Sequence, residues 1–332
     1  MSKQSKINKT SSNQNTTSQN EEATKENSLE GSFTIHTPYE PLAKEHQEQK
    51  TSETDTANLS ELLKLVLQQA HQQNYVEFTK WFSLAVHKGD AQAQYNLGVM
   101  HRNGEGVPQD YVQAMKWFRL AADQGYVPAQ HNLGVMYGLG QGVPQDDAQA
   151  VKWFRLAADQ GDAQAQFQLG VRYDFGQGVP QDYAQAMKWS RLAADQGYAG
   201  AQYHLGVMYD FGQGVPQDYA PAMKWFRLAA DQGDASAQTS LGDMYRNGEG
   251  VTQDYVEAMK WNRLAADQGH ATAQFYLGEM YRNGEGVPQD YVEAMKWFRL
   301  AADQGDADAQ TSLGDMYRNG EGVPQDDVEA EK

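Results

Sequence analysis

Seven Leu-Gly dipeptides, starting at Leu97, Leu133, Leu169, Leu205, Leu241, Leu277 and Leu313, recur every 36 residues. A fixed interval of this length restricts the chain to stacked supersecondary units. Each unit is too small to bury its own apolar face, so the core must form between neighbours. Units begin at residues 90, 126, 162, 198, 234 and 270, and a shorter seventh runs from 306 to Lys332, which aligns with Lys116. The seventh stops before the Trp of its second helix, so its first helix is expected to keep an uncovered apolar face. Self-association through that end is the corresponding expectation.

Upstream of the array, NYVEFTKWFSLAVHKG (Asn74 to Gly89) keeps the second half of a unit, while LSELLKLVLQQA (Leu59 to Ala70) replaces the first. Residues 58–89 are therefore read as a degenerate N-terminal capping helix pair, as stacked arrays require at their ends. Residues 1–57 are dominated by Ser, Thr, Asn, Gln, Lys and Glu and hold too little apolar surface to offset the entropy of ordering. They read as a disordered polar tail. Its least polar stretch, Gly31 to Leu42, is read as a solvated linker, with a short docking motif as the alternative.

Within a unit the pattern predicts helix, loop, helix. The first helix covers about twelve residues, such as Ala91 to Arg102. It meets NGEGVPQ, where glycines permit left-handed backbone and Pro forbids further helix. Asp110 is placed to cap the second helix, and Gln113 stands three residues on, as Glu257 does after Asp254 and Glu293 after Asp290, the spacing of a capping box. Gly125 suits the residue just past the helix. Pro128 and Pro221 fall in first turns, where a missing N–H does no harm. The expected fold is all-α, an antiparallel helix pair every 36 residues.

The stretch AQAQYNLGVMHRNGEGVPQDYVQAMKWFRLAADQG resembles the Sel-1-like repeat, a branch of the tetratricopeptide-like superfamily. The Leu-Gly pair, the Gly-x-Gly-Val-Pro loop, the Ala-x-x-Trp helix and the closing Ala-Ala-x-x-Gly recur in register from Asp90 to Lys332. The resemblance implies a right-handed α-solenoid that binds other proteins as a non-catalytic scaffold or adaptor. Some relatives with this repeat are described as penicillin-binding or penicillin-hydrolysing, so a β-lactam-handling enzyme is an alternative. Those relatives carry cysteines in their repeats; this chain has none.

Internal comparison of the units separates constant from edited positions. In the first helix, Ala93, Gln94, Leu97, Gly98 and Met100 are constant or nearly so and share one side, as a core face would. The second helix carries a wide apolar arc, including Tyr111, Met115, Trp117, Phe118 and Leu120, which leaves Lys116, Arg119 and Asp123 as its wet strip. The recurring Trp (Trp81, Trp117, Trp153, Trp189, Trp225, Trp261 and Trp297) is expected to be a buried spacer.

The edited face is the candidate partner site. Its sixth position runs Tyr95, His131, Phe167, Tyr203, Thr239, Phe275, Thr311. The tenth runs Val99, Val135, Val171, Val207, then Asp243, Glu279, Asp315, and the fourteenth runs Asn103, Leu139, Phe175, Phe211, then Asn247, Asn283, Asn319. Two zones on one concave surface are expected: an aromatic and aliphatic groove over His131 to Phe211 and an acidic groove over Asp243 to Asp315. A partner segment with apolar anchors beside Lys or Arg suits both.

Composition narrows the rest. The net charge of −17 argues against nucleic acid or anionic lipid as partner. The longest apolar run, Leu62 to Leu67, contains Lys64 and cannot span a bilayer. With no apolar signal core near its start, the chain is expected to be cytoplasmic, with export without a recognisable signal, as by a bacterial effector, as the alternative. No Ser-x-x-Lys, Gly-x-Ser-x-Gly, His-Glu-x-x-His or Walker-type motif occurs. His101, His131, His204 and His270 hold different unit positions and form no i, i+4 pair, so no metal, cofactor or catalytic residue is expected.

Overall fold

A computed structural model describes residues 88–105 and 107–331. The polar tail, the capping pair and Trp81 lie outside these residues. The described residues form fourteen helices and no strand: α1 Ala91–Asn103, α2 Tyr111–Asp123, α3 Val127–Leu139, α4 Asp147–Asp159, α5 Ala163–Phe175, α6 Tyr183–Asp195, α7 Ala199–Phe211, α8 Tyr219–Ala230, α9 Ala235–Asn247, α10 Tyr255–Asp267, α11 Ala271–Asn283, α12 Tyr291–Ala302, α13 Ala307–Asn319 and α14 Asp327–Ala330. Odd-numbered helices are the first helix of a unit and even-numbered ones the second. Each packs on the helix before and after it in the chain, which makes an α-solenoid.

The helix ends follow from the sequence. Asp110, Asp146 and Asp182 each accept a hydrogen bond from the backbone N–H three residues on. Where Pro221 removes that donor, Asp218 takes the N–H of Ala220 instead. The reciprocal half of the expected capping box does not form. The N–H of Asp110 is already bonded to the His101 carbonyl, and that of Asp254 to the Tyr245 carbonyl, so Glu257 is left to pair with Lys260. The chain turns between helices through left-handed glycines, and Gly142 illustrates the double demand. Its φ is 76°, and a Cβ there would lie 2.5 Å from the Tyr111 carbonyl oxygen, because this loop packs on the start of the preceding unit's second helix.

The constant positions are buried. Leu133, Met136, Leu169, Leu205, Leu241 and Leu277 are all but inaccessible, with Phe118, Phe154, Phe226 and Phe298 facing them from the second helices. Each Phe lies on the constant Gly: a Cβ at Gly134 would come within 2.6 Å of the Phe154 ring, so only Gly allows the two helices this approach. Two units depart from the rule. Ser190 and Asn262 occupy the Phe slot and are fully buried.

Gln94 and its equivalents, constant for no apolar reason, form a relay. Gln130 Nε2 donates to the Ala122 carbonyl of the preceding unit at 3.1 Å, and its Oε1 accepts from Gln160 of its own unit at 2.7 Å. The same two bonds recur at Gln166, Gln202, Gln238 and Gln274. Buried amides are stable here because both ends are partnered.

Trp153, Trp189, Trp225 and Trp297 are buried as expected, while Trp117 and Trp261 are half-buried. The wet strip differs from expectation in two ways. Arg119 stacks on Trp153 of the next unit at 4.7 Å, and Arg155, Arg191, Arg227 and Arg263 repeat the contact at 4.8–5.0 Å. Leu120, assigned to the apolar arc, is 46% exposed, and the same residue is exposed in every later complete unit. It follows Arg119 directly, and the inward side of the helix is already filled by Phe118, Ala121 and Ala122.

Candidate functional site

The edited positions lie on the first helices, and the structure sorts them into three depths. The fourteenth position is the last helical residue before a left-handed Gly cap, so its side chain leaves the helix where the backbone turns away. Leu139, Phe175 and Phe211 are accordingly 65%, 66% and 70% exposed. The Asn that holds this position elsewhere is satisfied within its own unit: Asn103 bonds Glu105, Asn247 bonds Asp243 and Asn283 bonds Glu285. Three consecutive units thus replace a self-satisfied amide with an uncovered apolar side chain.

The sixth position is half-buried and already engaged. Tyr95 packs against Phe118 and Tyr126 at 5.5 and 5.3 Å, Phe167 against Tyr198 at 5.3 Å, Tyr203 against Phe226 at 5.7 Å, and Phe275 against Phe298 at 5.7 Å. His131 lies edge-on to Phe154 at 5.7 Å with Nδ1 3.3 Å from Asp162. Tyr95, His131 and Phe167 thus reach the next unit, while Tyr203 and Phe275 rest on the second helix of their own, and all five are half-buried. Thr239 is buried and bonds the Ala235 carbonyl and His270. At the tenth position Val99, Val135 and Val207 pack at the edges of the core clusters, and Val171 is half-buried.

The acidic half of the face is more nearly neutral than its carboxylates alone suggest. Asp243, Glu279 and Asp315 are each followed three residues later by Arg246, Arg282 or Arg318. Arg318 pairs with Asp315 at 2.7 Å, whereas Arg246 and Arg282 reach forward one unit to Glu285 and Glu321, both at 2.8 Å. Three carboxylates come together where units four and five meet. There burial raises the Asp210, Asp243 and Glu249 carboxyls above their ordinary range, and the charge of Asp243 adds to the rise at the other two. Phe211, the most exposed of the apolar row, follows Asp210 directly.

One constellation has no counterpart in the sequence reading. Ser190 Oγ lies 2.8 Å from His204 Nδ1, and His204 Nε2 lies 3.1 Å from Asp174 Oδ2, three residues from α6, α7 and α5. The order Ser, His, Asp is that of an acyl-transfer triad, but with the two ring nitrogens exchanged. Ser190 is completely buried, however, and lies against Gly170, so no carbonyl can reach its oxygen. The arrangement is a polar plug in the slot where other units place Phe. Separations of 14 and 30 residues gave no local motif by which to find it; the only sequence signal is the break from Phe at Ser190. Among the described residues no group of three or more His, Asp or Glu side chains is placed to hold a metal ion. No described helix is long and apolar enough to cross a membrane.

A family model described as the Sel1 repeat matches seven consecutive segments: 91–126, 127–162, 163–198, 199–234, 235–270, 271–306 and 307–332. Among solved structures, the chain is similar to c5321, described as a protective antigen present in uropathogenic Escherichia coli strains and displaying an SLR fold. Identity is 41% and the TM-score 0.71, over 76% of this chain and 54% of that one, so the match spans about half of the E. coli protein. A Sel1 repeat protein from Oxalobacter formigenes is 31% identical with a TM-score of 0.66, over 72% of this chain and 94% of that one. Among curated proteins, none matches.

Proposed function

Since the chain belongs to the Sel1 repeat family, whose fold is typical of protein–protein interaction and generally non-catalytic, we propose that it is a scaffold holding a partner segment across its first helices. The observation that carries this reading is the row of Leu139, Phe175 and Phe211, uncovered at equivalent positions of three successive units. Neighbouring first helices touch, as the 2.7 Å bond from Arg102 to Asn132 illustrates, and helices in contact lie about 8–10 Å apart. An extended segment advances about 3.3 Å per residue, so an apolar side chain at every third position would meet one seat per unit. A Lys or Arg beyond the third anchor would reach Asp210, Asp243 and Glu249 and relieve their mutual repulsion.

Selection of a phage-displayed random peptide library on the full chain tests the proposal. Enriched peptides should carry apolar residues three apart followed by a basic residue, and their binding should vanish with Phe175→Asp and weaken, with a shallower salt dependence, with Asp243→Lys. Enrichment that survives Phe175→Asp and Phe211→Asp together would refute the site.

A further inference from the structure

Every complete unit carries the same four residues on its second helix, spaced i, i+3, i+4, i+7 and therefore in one stripe: Lys, Arg, Leu, Asp, of which Lys, Leu and Asp are exposed in all six while Arg155 and Arg227 are half-buried. In α6 these are Lys188, Arg191, Leu192 and Asp195. The leucines are 39–50% exposed in all six units. Elsewhere in the unit, constancy has a visible reason in burial, capping or a turn. The exposed Leu has none: the only bond it makes, from Gln196 to the Leu192 carbonyl in α6, uses backbone that any residue would supply.

The stripes are neighbours. The arginine of each of the first five units lies on the Trp of the next at 4.7–5.0 Å, so adjacent second helices are in side-chain contact and their leucines form a row with one member per helix. Beside the guanidinium on the ring, the stripe offers a partner Lys on one side of the Leu and Asp on the other, although Lys188 also lies over its neighbour Trp189 at 5.2 Å. At 1.5 Å of rise per residue these lie about 6 Å and 4.5 Å from it along the axis. Such a stripe is complementary to itself. A two-fold axis running along the array sets each second helix antiparallel to its counterpart, Leu against Leu, with Lys over Asp at both ends. A surface of anionic lipid or nucleic acid would be repelled by the Asp in every stripe.

We propose that this second-helix face is an interface with a second copy of the same chain. It is separate from the first-helix face that holds the partner segment, and the dimer would present two such faces pointing away from each other. Where the charges already pair within a helix, as Lys260 does with Glu257 and Arg263 with Asp267, the pairs are exposed and weak enough to exchange.

Sedimentation equilibrium of the full chain at micromolar concentration tests the proposal. The expected mass is twice the 37.0 kDa of one chain. Leu156→Glu, Leu192→Glu and Leu228→Glu combined should yield a monomer with unchanged helical circular dichroism, since all three side chains are exposed. Lys188→Asp alone should raise the dimer dissociation constant roughly tenfold, and Lys188→Asp with Asp195→Lys in one chain should restore it, because both partners then carry reversed charges. A monomeric wild-type chain, a dimer that survives the triple leucine change, or a charge double variant no better than the single would each overturn the proposal.

Discussion

Filling the slot at Asn262 should stabilise the array. Four other units hold Phe there, and Asn262 rests against Gly242 as those rings rest against their own glycines: a Cβ at Gly242 would lie 2.6 Å from Asn262 Cγ. The amide is poorly served. Its Oδ1 has no hydrogen-bond partner, and its Nδ2 reaches only the Met280 sulfur, at 3.9 Å. Asn262→Phe removes an unsatisfied buried amide, a gain of about 1–3 kcal/mol. It also buries an aromatic side chain, about 1.5–3 kcal/mol. Displacing Met280 from the space the ring needs returns about 1–3 kcal/mol. Taking the middle of each range, the net expectation is about 2 kcal/mol of added stability. The same change at Ser190 should have the opposite sign. A ring there expels His204 and leaves the buried Asp174 without its partner, a loss of about 3–5 kcal/mol. Repeat arrays open in parts, so urea midpoints should be read together with native-state hydrogen exchange in α9–α12 for Asn262→Phe and in α5–α8 for Ser190→Phe. Equal effects at the two sites, or a lower midpoint for Asn262→Phe, would refute the assignment of one slot as a defect and the other as a satisfied plug.

Trp189→Ala should cost about 3–5 kcal/mol by opening a cavity beneath Arg155, and a loss below about 1 kcal/mol in chemical denaturation would show that the ring contributes no packing. Asp243→Asn should raise the melting temperature at neutral pH. The folded state holds this carboxyl above its ordinary 3.8, so its ionised form opposes folding, and the benefit should fade as the pH falls through the raised folded-state value and be gone below 3.8, where folded and unfolded chains are both protonated. A benefit that persists unchanged in acid would point to packing instead. Gln202→Ala should cost about 1–3 kcal/mol by removing two hydrogen bonds, one to the Ala194 carbonyl, which keeps the Gly197 N–H, and one from the Gln232 amide, which keeps the Leu228 carbonyl, measurable by thermal unfolding.

Much of this fold was legible because the sequence compares itself with itself. Positions constant across units proved to be core, as at Leu133 and Met136, or relay, as at Gln130, and the caps fell where Asp stands before each second helix. What escaped was chiefly contact between units. Arg119 meets Trp153 across 34 residues, and helical periodicity gives an arginine's direction within its own helix without showing what stands there. Periodicity likewise marked Leu120 as apolar without showing that Phe118 and the alanines already fill the inward side. The candidate face was half visible. Leu139, Phe175 and Phe211 stand exposed as expected, whereas Tyr95 and Phe167 are drawn onto Tyr126 and Tyr198 of the next unit and Tyr203 onto Phe226 of its own second helix.

The glutamine relay has a mechanical consequence. Gln130, Gln166, Gln202, Gln238 and Gln274 each hold one bond to their own unit and one to the unit before, so detaching any unit leaves a buried amide without an acceptor on one side and takes one of two donors from a carbonyl on the other. Releasing a unit from the middle of the array breaks this linkage on both flanks, whereas releasing one that has a neighbour on one side only breaks it once. Under an applied pull the chain should therefore peel from its ends in steps of 36 residues, each resisting with similar force, and Gln202→Leu should mark the place where a mid-array break first competes.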